Sequence, residues 1–109
     1  MEHFQLSDMV KGWFVGNVTP TAFSTSACEV AVKFYLAGEY EPPHFHKVAT
    51  ETTLIMDGEV FMCGKTWGAG DIIMLPPGTV TDFRVLQNAT TVVVKVPGAL
   101  NDKYLANEG

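Results

Sequence analysis

The sequence predicts an all-β domain of many short antiparallel strands. Three observations carry this reading. Strand-favouring residues dominate, with 27 Val, Ile and Thr and 12 aromatics. The 16 Gly and Pro are scattered as punctuation rather than clustered. Turn signals recur at roughly eight to twelve residues, the spacing of sandwiches and barrels. At 109 residues the chain has the size of one domain, so residues 1–109 are read as a single unit around one core.

Each element follows from its local pattern. Near the start, Ser7 can cap one short helical turn through Met9 and Val10, which Gly12 ends, and no other helix is expected. Residues 28–36 alternate, with Cys28, Val30, Val32, Phe34 and Leu36 on one face and Glu29, Lys33 and Tyr35 on the other. One of these faces lines the barrel mouth, and alternation does not say which. Residues 52–56 and 59–63 flank Asp57-Gly58, a dipeptide that tolerates the positive φ of a tight turn, and so predict a hairpin. Three more strands, 72–75, 80–86 and 90–96, are divided by Pro76-Pro77-Gly78 and Gln87-Asn88-Ala89. Met62 and Met74 are assigned to the core. Trp13 and Trp67, beside glycine-bearing turns, are read as structural cover over a barrel end or in a dimer contact.

Composition excludes several functions. Seven Lys and Arg against 12 Asp and Glu leave a net charge of −5, which offers no footprint for a phosphate backbone, so nucleic acid is excluded as a partner. No apolar run exceeds four residues, far below the roughly 18 of a membrane span. The opening residues lack the basic start and apolar stretch of a signal peptide, and a cytoplasmic location is expected. Cys28 and Cys63 sit in apolar alternating segments and are read as free, buried hydrophobes. No Ser-His-Asp order, phosphate-cradling loop or Cys-x-x-Cys supports a hydrolase, nucleotide enzyme or thiol oxidoreductase.

The chemistry concentrates between Gly38 and Gly58. His44 and His46 lie two apart on a chain that Pro42-Pro43 holds extended, so they project to one side and can reach one ion. Glu51, arriving on the next strand, can add a carboxylate and complete a two-His, one-carboxylate set with positions open to water or substrate. Such donors suit divalent Fe, Mn, Ni or Zn. By itself, a His-x-His pair in a β-protein is more often a surface or hydrogen-bonded pair than a ligand set.

The spacing around the pair is more specific. Gly38, five residues, His44, one, His46, four, Glu51, six, Gly58 resembles the first motif of the cupin superfamily at every fixed position, and Gly70, five residues, Pro76, one, Gly78 resembles the second. The resemblance implies a double-stranded β-helix, the cupin jelly-roll barrel, with His44, His46 and Glu51 as metal ligands at its mouth. Where the family places a third metal-binding histidine this chain has Thr81, so partial metal occupancy is expected. Asp82, a hard oxygen donor one residue on, is aimed out of the barrel by alternation. Phe83, on the face of Thr81, is read as pocket wall or core.

The functions implied are two. The first is a metal-dependent enzyme of isomerase, lyase or dioxygenase type acting on a sugar or organic acid, with Glu51 as ligand or general base. The second is a non-catalytic cupin that binds a sugar or other small ligand beside a degenerate metal site. A homodimer is expected, because an open sandwich leaves an edge and apolar surface for a symmetric partner. Trp13-Phe14-Val15-Gly16, the run from His46 to Glu51, Lys95-Val96-Pro97 and Asp102-Lys103-Tyr104 also look like a group of small uncharacterised cupins of bacteria and their viruses. On this reading the tail from Lys95 to Tyr104 folds back, with Lys103 or Tyr104 making contacts beyond the barrel.

Overall fold

The computed structural model describes residues 1–108. Eight strands account for the fold: β1 (Trp13–Val15), β2 (Glu29–Tyr35), β3 (Tyr40–Phe45), β4 (Thr50–Met62), β5 (Lys65–Gly68), β6 (Ile72–Leu75), β7 (Thr81–Val96) and β8 (Tyr104–Leu105). Helix is confined to 3-10 turns at Leu6–Asp8, Val10–Gly12 and Ala106–Glu108. The first two begin without a side-chain cap, so Ser7 does not play the part its sequence position suggests.

Two strands are long because each serves both layers. The first part of β4 pairs with the end of β7, from Thr50 opposite Val96 to Ile55 opposite Thr91; after two register shifts Glu59 meets Gln87, and after a third Val60 and Phe61 meet Val85 and Arg84. β2 and β6 extend the first half of this ribbon, and β3 and β5 extend the second. β1 then borders β2, and β8 borders β3. The result is two five-stranded antiparallel layers, β1-β2-β7-β4-β6 and β8-β3-β7-β4-β5, joined through their shared strands. This is a double-stranded β-helix. Its core lies between the layers, where Ile55, Val60, Met62, Ile73, Leu75, Phe83, Val85 and Ala89 form one buried cluster.

The hairpin expected at Asp57-Gly58 does not form. Gly58 has φ +87°, as that dipeptide permits, but it bends one continuous strand as β4 passes between layers. A Cβ there would stand 2.1 Å from the Asn88 carbonyl oxygen and 2.6 Å from the Ala89 Cα, so β4 and β7 turn the corner in close contact. Likewise Gln87-Asn88-Ala89 bends β7 without dividing it. The tight hairpin lies at Cys63-Gly64, where φ is +51° and +74° between β4 and β5. Cys63 is therefore exposed rather than buried, and Cys28 is half-buried; both are free thiols. Met62 is core as expected, but Met74 is 58% exposed, because Ile73 and Leu75 take the inward positions of β6.

Candidate functional site

Alternation on β2, β4 and β7 aims Tyr35, Glu51, Thr53, Thr91 and Val93 into the same space, and β3 closes it with Glu41 and His44. The cavity they line with Thr81 and Phe83 holds about 40 Å³, room for a water or two. Tyr35 and Phe83 form its aromatic wall, with ring centroids 5.0 Å apart. The inward face of β2 is thus the one bearing Lys33 and Tyr35, while Phe34 is exposed. Phe83 is both pocket wall and core. Tyr35 and Glu41 also border a wider groove of about 750 Å³ under the N-terminal segment.

His44 and His46 are both buried, with ring centroids 6.0 Å apart and nearly perpendicular. The Nδ1 of His44 lies 2.9 Å from the Pro42 carbonyl, and that of His46 lies 2.7 Å from the Asp102 carbonyl. A carbonyl oxygen only accepts, so both Nδ1 atoms carry the proton and donate. Each Nε2 then faces a carboxylate: His46 Nε2 is 3.5 Å from Glu51 Oε2, and His44 Nε2 is 3.8 Å from Glu41 Oε2. Two acceptors opposed at this distance call for a proton or a cation between them. The Glu51 hydrogen bond raises the His46 imidazole above its usual value and outweighs burial, with the Asp102 carbonyl and the Glu51 charge adding to the effect. Burial pushes the Glu51 carboxyl up, but the hydrogen bond and charge of His46, with Lys95, hold it below the usual range. Burial, reinforced by Glu41, Glu51 and Glu39, pushes the Tyr35 phenol up, so it stays neutral and able to donate.

Thr81 occupies the cavity wall directly opposite His44 in the strand register. Its hydroxyl is engaged with the backbone, accepting from the Cys63 N–H at 2.8 Å and donating to the Asp82 carbonyl at 2.8 Å. Asp82 lies outside the barrel with Arg84, 3.5 Å from its Nε, as alternation predicts. Trp67 has a structural part, its indole N–H donating to the Met62 carbonyl at 2.8 Å. Among the described residues no group of three His, Cys, Asp or Glu is drawn tightly enough to hold an ion as it stands. The donors form two couples, His44 with Glu41 and His46 with Glu51.

Sequence reasoning missed two of these residues. Glu41 escapes because the register shifts between Glu41 and His44, so simple alternation from the histidines selects Pro42 instead. Asp102 is buried and caps a loop: its carboxylate accepts the N–H groups of Lys47, Val48 and Ala49 at 2.9 to 3.2 Å. The tail does fold back as expected. Lys103 reaches Glu41 at 3.4 Å and Tyr104 stacks on Phe45 with centroids 5.6 Å apart, but Asp102 is the residue that ties the tail to His46.

No family model matches the chain, and no curated protein matches it. Solved structures do. A Klebsiella pneumoniae protein described as uncharacterized and conserved, with a double-stranded beta-helix domain, superposes with TM-score 0.68 over 95% of this chain and 90% of its own, at 22% identity. The DMSP lyase DddQ of Ruegeria pomeroyi gives TM-score 0.68 at 26% identity over 89% of this chain, which spans about half of DddQ at 51%. Oxalate decarboxylase of Bacillus subtilis, a protein with Mn(II) centres, gives 0.62 at 18% identity over 74% of this chain and 24% of its own. The chain has the cupin fold. In this fold His44, His46, Glu51 and Glu41 come together, bringing two imidazole Nε2 atoms beside two carboxylates. With Nδ1 protonated on both rings, the nitrogens that remain are those a divalent ion would take, and their carbonyl partners fix ring orientation. The donor set therefore fits a divalent transition ion in kind.

Proposed function

We propose that this cupin binds a divalent transition metal (Fe, Mn, Ni or Zn) through His44, His46 and Glu51 and acts on a small polar molecule, a sugar or organic acid, by isomerase, lyase or dioxygenase chemistry. One observation carries the reading: two imidazoles have Nδ1 committed to carbonyls and Nε2 turned toward carboxylates. A bound ion would supply Lewis-acid or oxygen-activating chemistry there. The chain's own residues do the rest. Glu51 ligates or takes a proton from substrate, Tyr35 offers a neutral hydroxyl donor, and the Tyr35–Phe83 pair gives the inner cavity an apolar wall.

A second reading, a ligand-binding cupin without catalysis, draws on Thr81, whose hydroxyl is held by backbone partners and gives no third neutral ligand. Metal analysis of untagged protein purified without chelator separates the two. We expect substoichiometric metal, lost in His46→Ala and kept in Asp82→Asn. Metal-free wild-type protein that takes up none of the four ions on titration would refute the metal reading and leave the binding module.

We also propose a homodimer through the outer face of the β1-β2-β7-β4-β6 layer. Ile72 and Met74 on the β6 edge are 65% and 58% exposed, beside exposed Met56 and Val96. Exposed apolar side chains on the outer face of an antiparallel layer suit a second copy.

A further inference from the structure

The reading above leaves one set of charges at the mouth unused. The chain is acidic overall and has only seven Lys and Arg. Two of them nonetheless approach a single indole: Lys33 Nζ lies 4.6 Å and Lys95 Nζ 5.0 Å from the Trp13 ring centroid. Among the described residues neither ammonium has a carboxylate within ion-pair distance, although four other ion pairs form. At Lys33 the charges of Lys95, Lys11 and Lys103 add to the positive field and Glu41 opposes it.

Two ammoniums near one ring repel each other, and the Glu41 charge at Lys33, the Glu51 charge at Lys95 and the shared aromatic face offset only part of that repulsion, since neither carboxylate closes an ion pair. The strain shows at Lys33: burial, then the charges of Lys95 and Lys11, bring its amine down to about 8. The position of the pair gives it a purpose. Lys33 borders the 750 Å³ groove that shares Tyr35 and Glu41 with the inner cavity. Lys95 stands directly opposite Glu51 across β4 and β7.

We propose that Lys33 and Lys95, backed by Trp13, bind the carboxylate of a small organic anion, which makes the substrate of this site an organic acid or acidic sugar. The proposal rests on the small-molecule reading of the mouth given above but not on its metal. A neutral sugar has no need of the lysines. Lys33 borders a groove of the size that holds small organic ligands, and Lys95 borders with Trp13 a separate recess of about 180 Å³.

The test uses metal-free protein, so that chelation plays no part, at a fixed ionic strength of about 0.15 M. Malonate and glucuronate are titrated against malonamide and glucose while the Trp13 indole N–H resonance, assigned with Trp13→Phe, is followed by NMR. The acids should shift it saturably and the neutral analogues should not. Lys33→Met and Lys95→Met should each weaken acid binding about tenfold, the loss of one charge-assisted contact, and Lys33→Arg should restore it. Equal binding by the Met variants, or no saturable shift with either acid, would overturn the proposal. Metal titration of the wild-type protein keeps the two readings apart. Normal metal uptake with no selectivity for acids removes this inference alone, whereas saturable acid binding without metal uptake removes the metal reading alone.

Discussion

The ring of His46 is held by the backbone of Asp102, whose carbonyl accepts the Nδ1 proton at 2.7 Å, while the Asp102 side chain gathers the three N–H groups that follow His46. One residue thus sets both the tautomer of a candidate ligand and the shape of the loop leading from it to Glu51. Asp102→Ala leaves three loop N–H groups without an acceptor and should cost about 3 kcal/mol in urea unfolding, whereas Asp102→Asn, which keeps one oxygen, should cost about half as much. Burial raises the carboxyl, but the three N–H bonds prevail and hold it below its ordinary 3.8. Its contribution is therefore complete above that value and disappears as pH falls through the folded-state value. Asp102→Asn should flatten the acid limb of the stability profile. An unchanged acid limb would show that the carboxylate is not ionised in the cap.

Gly58→Ala should destabilise the protein by roughly 3 kcal/mol or more, since the new methyl meets backbone of β7 at 2.1 Å and the residue must hold φ +87°. Gly64→Ala provides the control. Its φ is also positive, at +74°, but no atom lies within 4 Å of the added carbon, so the loss should be near 1 kcal/mol. Thermal or urea unfolding of both measures the difference. Equal losses would mean that the corner is not sterically closed.

Carboxylate binding should weaken as pH rises from 7 to 9. The free protein loses the Lys33 charge near 8, and a bound anion favours the protonated amine, so binding takes up protons in that interval. Calorimetry in buffers of different ionisation enthalpy detects the uptake. In Lys33→Arg, which stays charged, the slope should vanish. A pH-independent affinity in wild type would contradict the role given to Lys33.

Met74→Glu should yield a monomer by light scattering at micromolar concentration with the fold intact, because the side chain lies on the outer apolar face and touches no core position. A dimer that survives this change uses another surface.

The parts of the site legible in sequence are those that local rules govern. His44 and His46 were readable because side chains two apart on an extended chain share a face, and Glu51 because its spacing from them matches a known motif. The outward aim of Asp82 follows from the same alternation. Glu41 was hidden by a register shift that no local pattern announces, and Asp102 by a contact spanning 56 residues. Lys33 and Lys95 sit at ordinary inward positions of two strands, and only the pairing of β2 with β7 brings both to Trp13. Asp57-Gly58 shows the limit from the other side. A positive φ serves a hairpin and a strand corner equally well, and the choice is made by β7, a partner remote in sequence.

Because β4 and β7 run through both layers, neither layer has an interior of its own to fall back on. Loss of β7 would remove the hydrogen-bonding neighbour of β2, β3 and β4 together. The molecule should accordingly lose its structure in one cooperative step, with amides of Ile55 and Thr91 exchanging only at the free energy of global opening. Folding must wait for strands far apart in the chain to meet, which places its rate in the millisecond-to-second range of non-local β topologies rather than among faster helical domains.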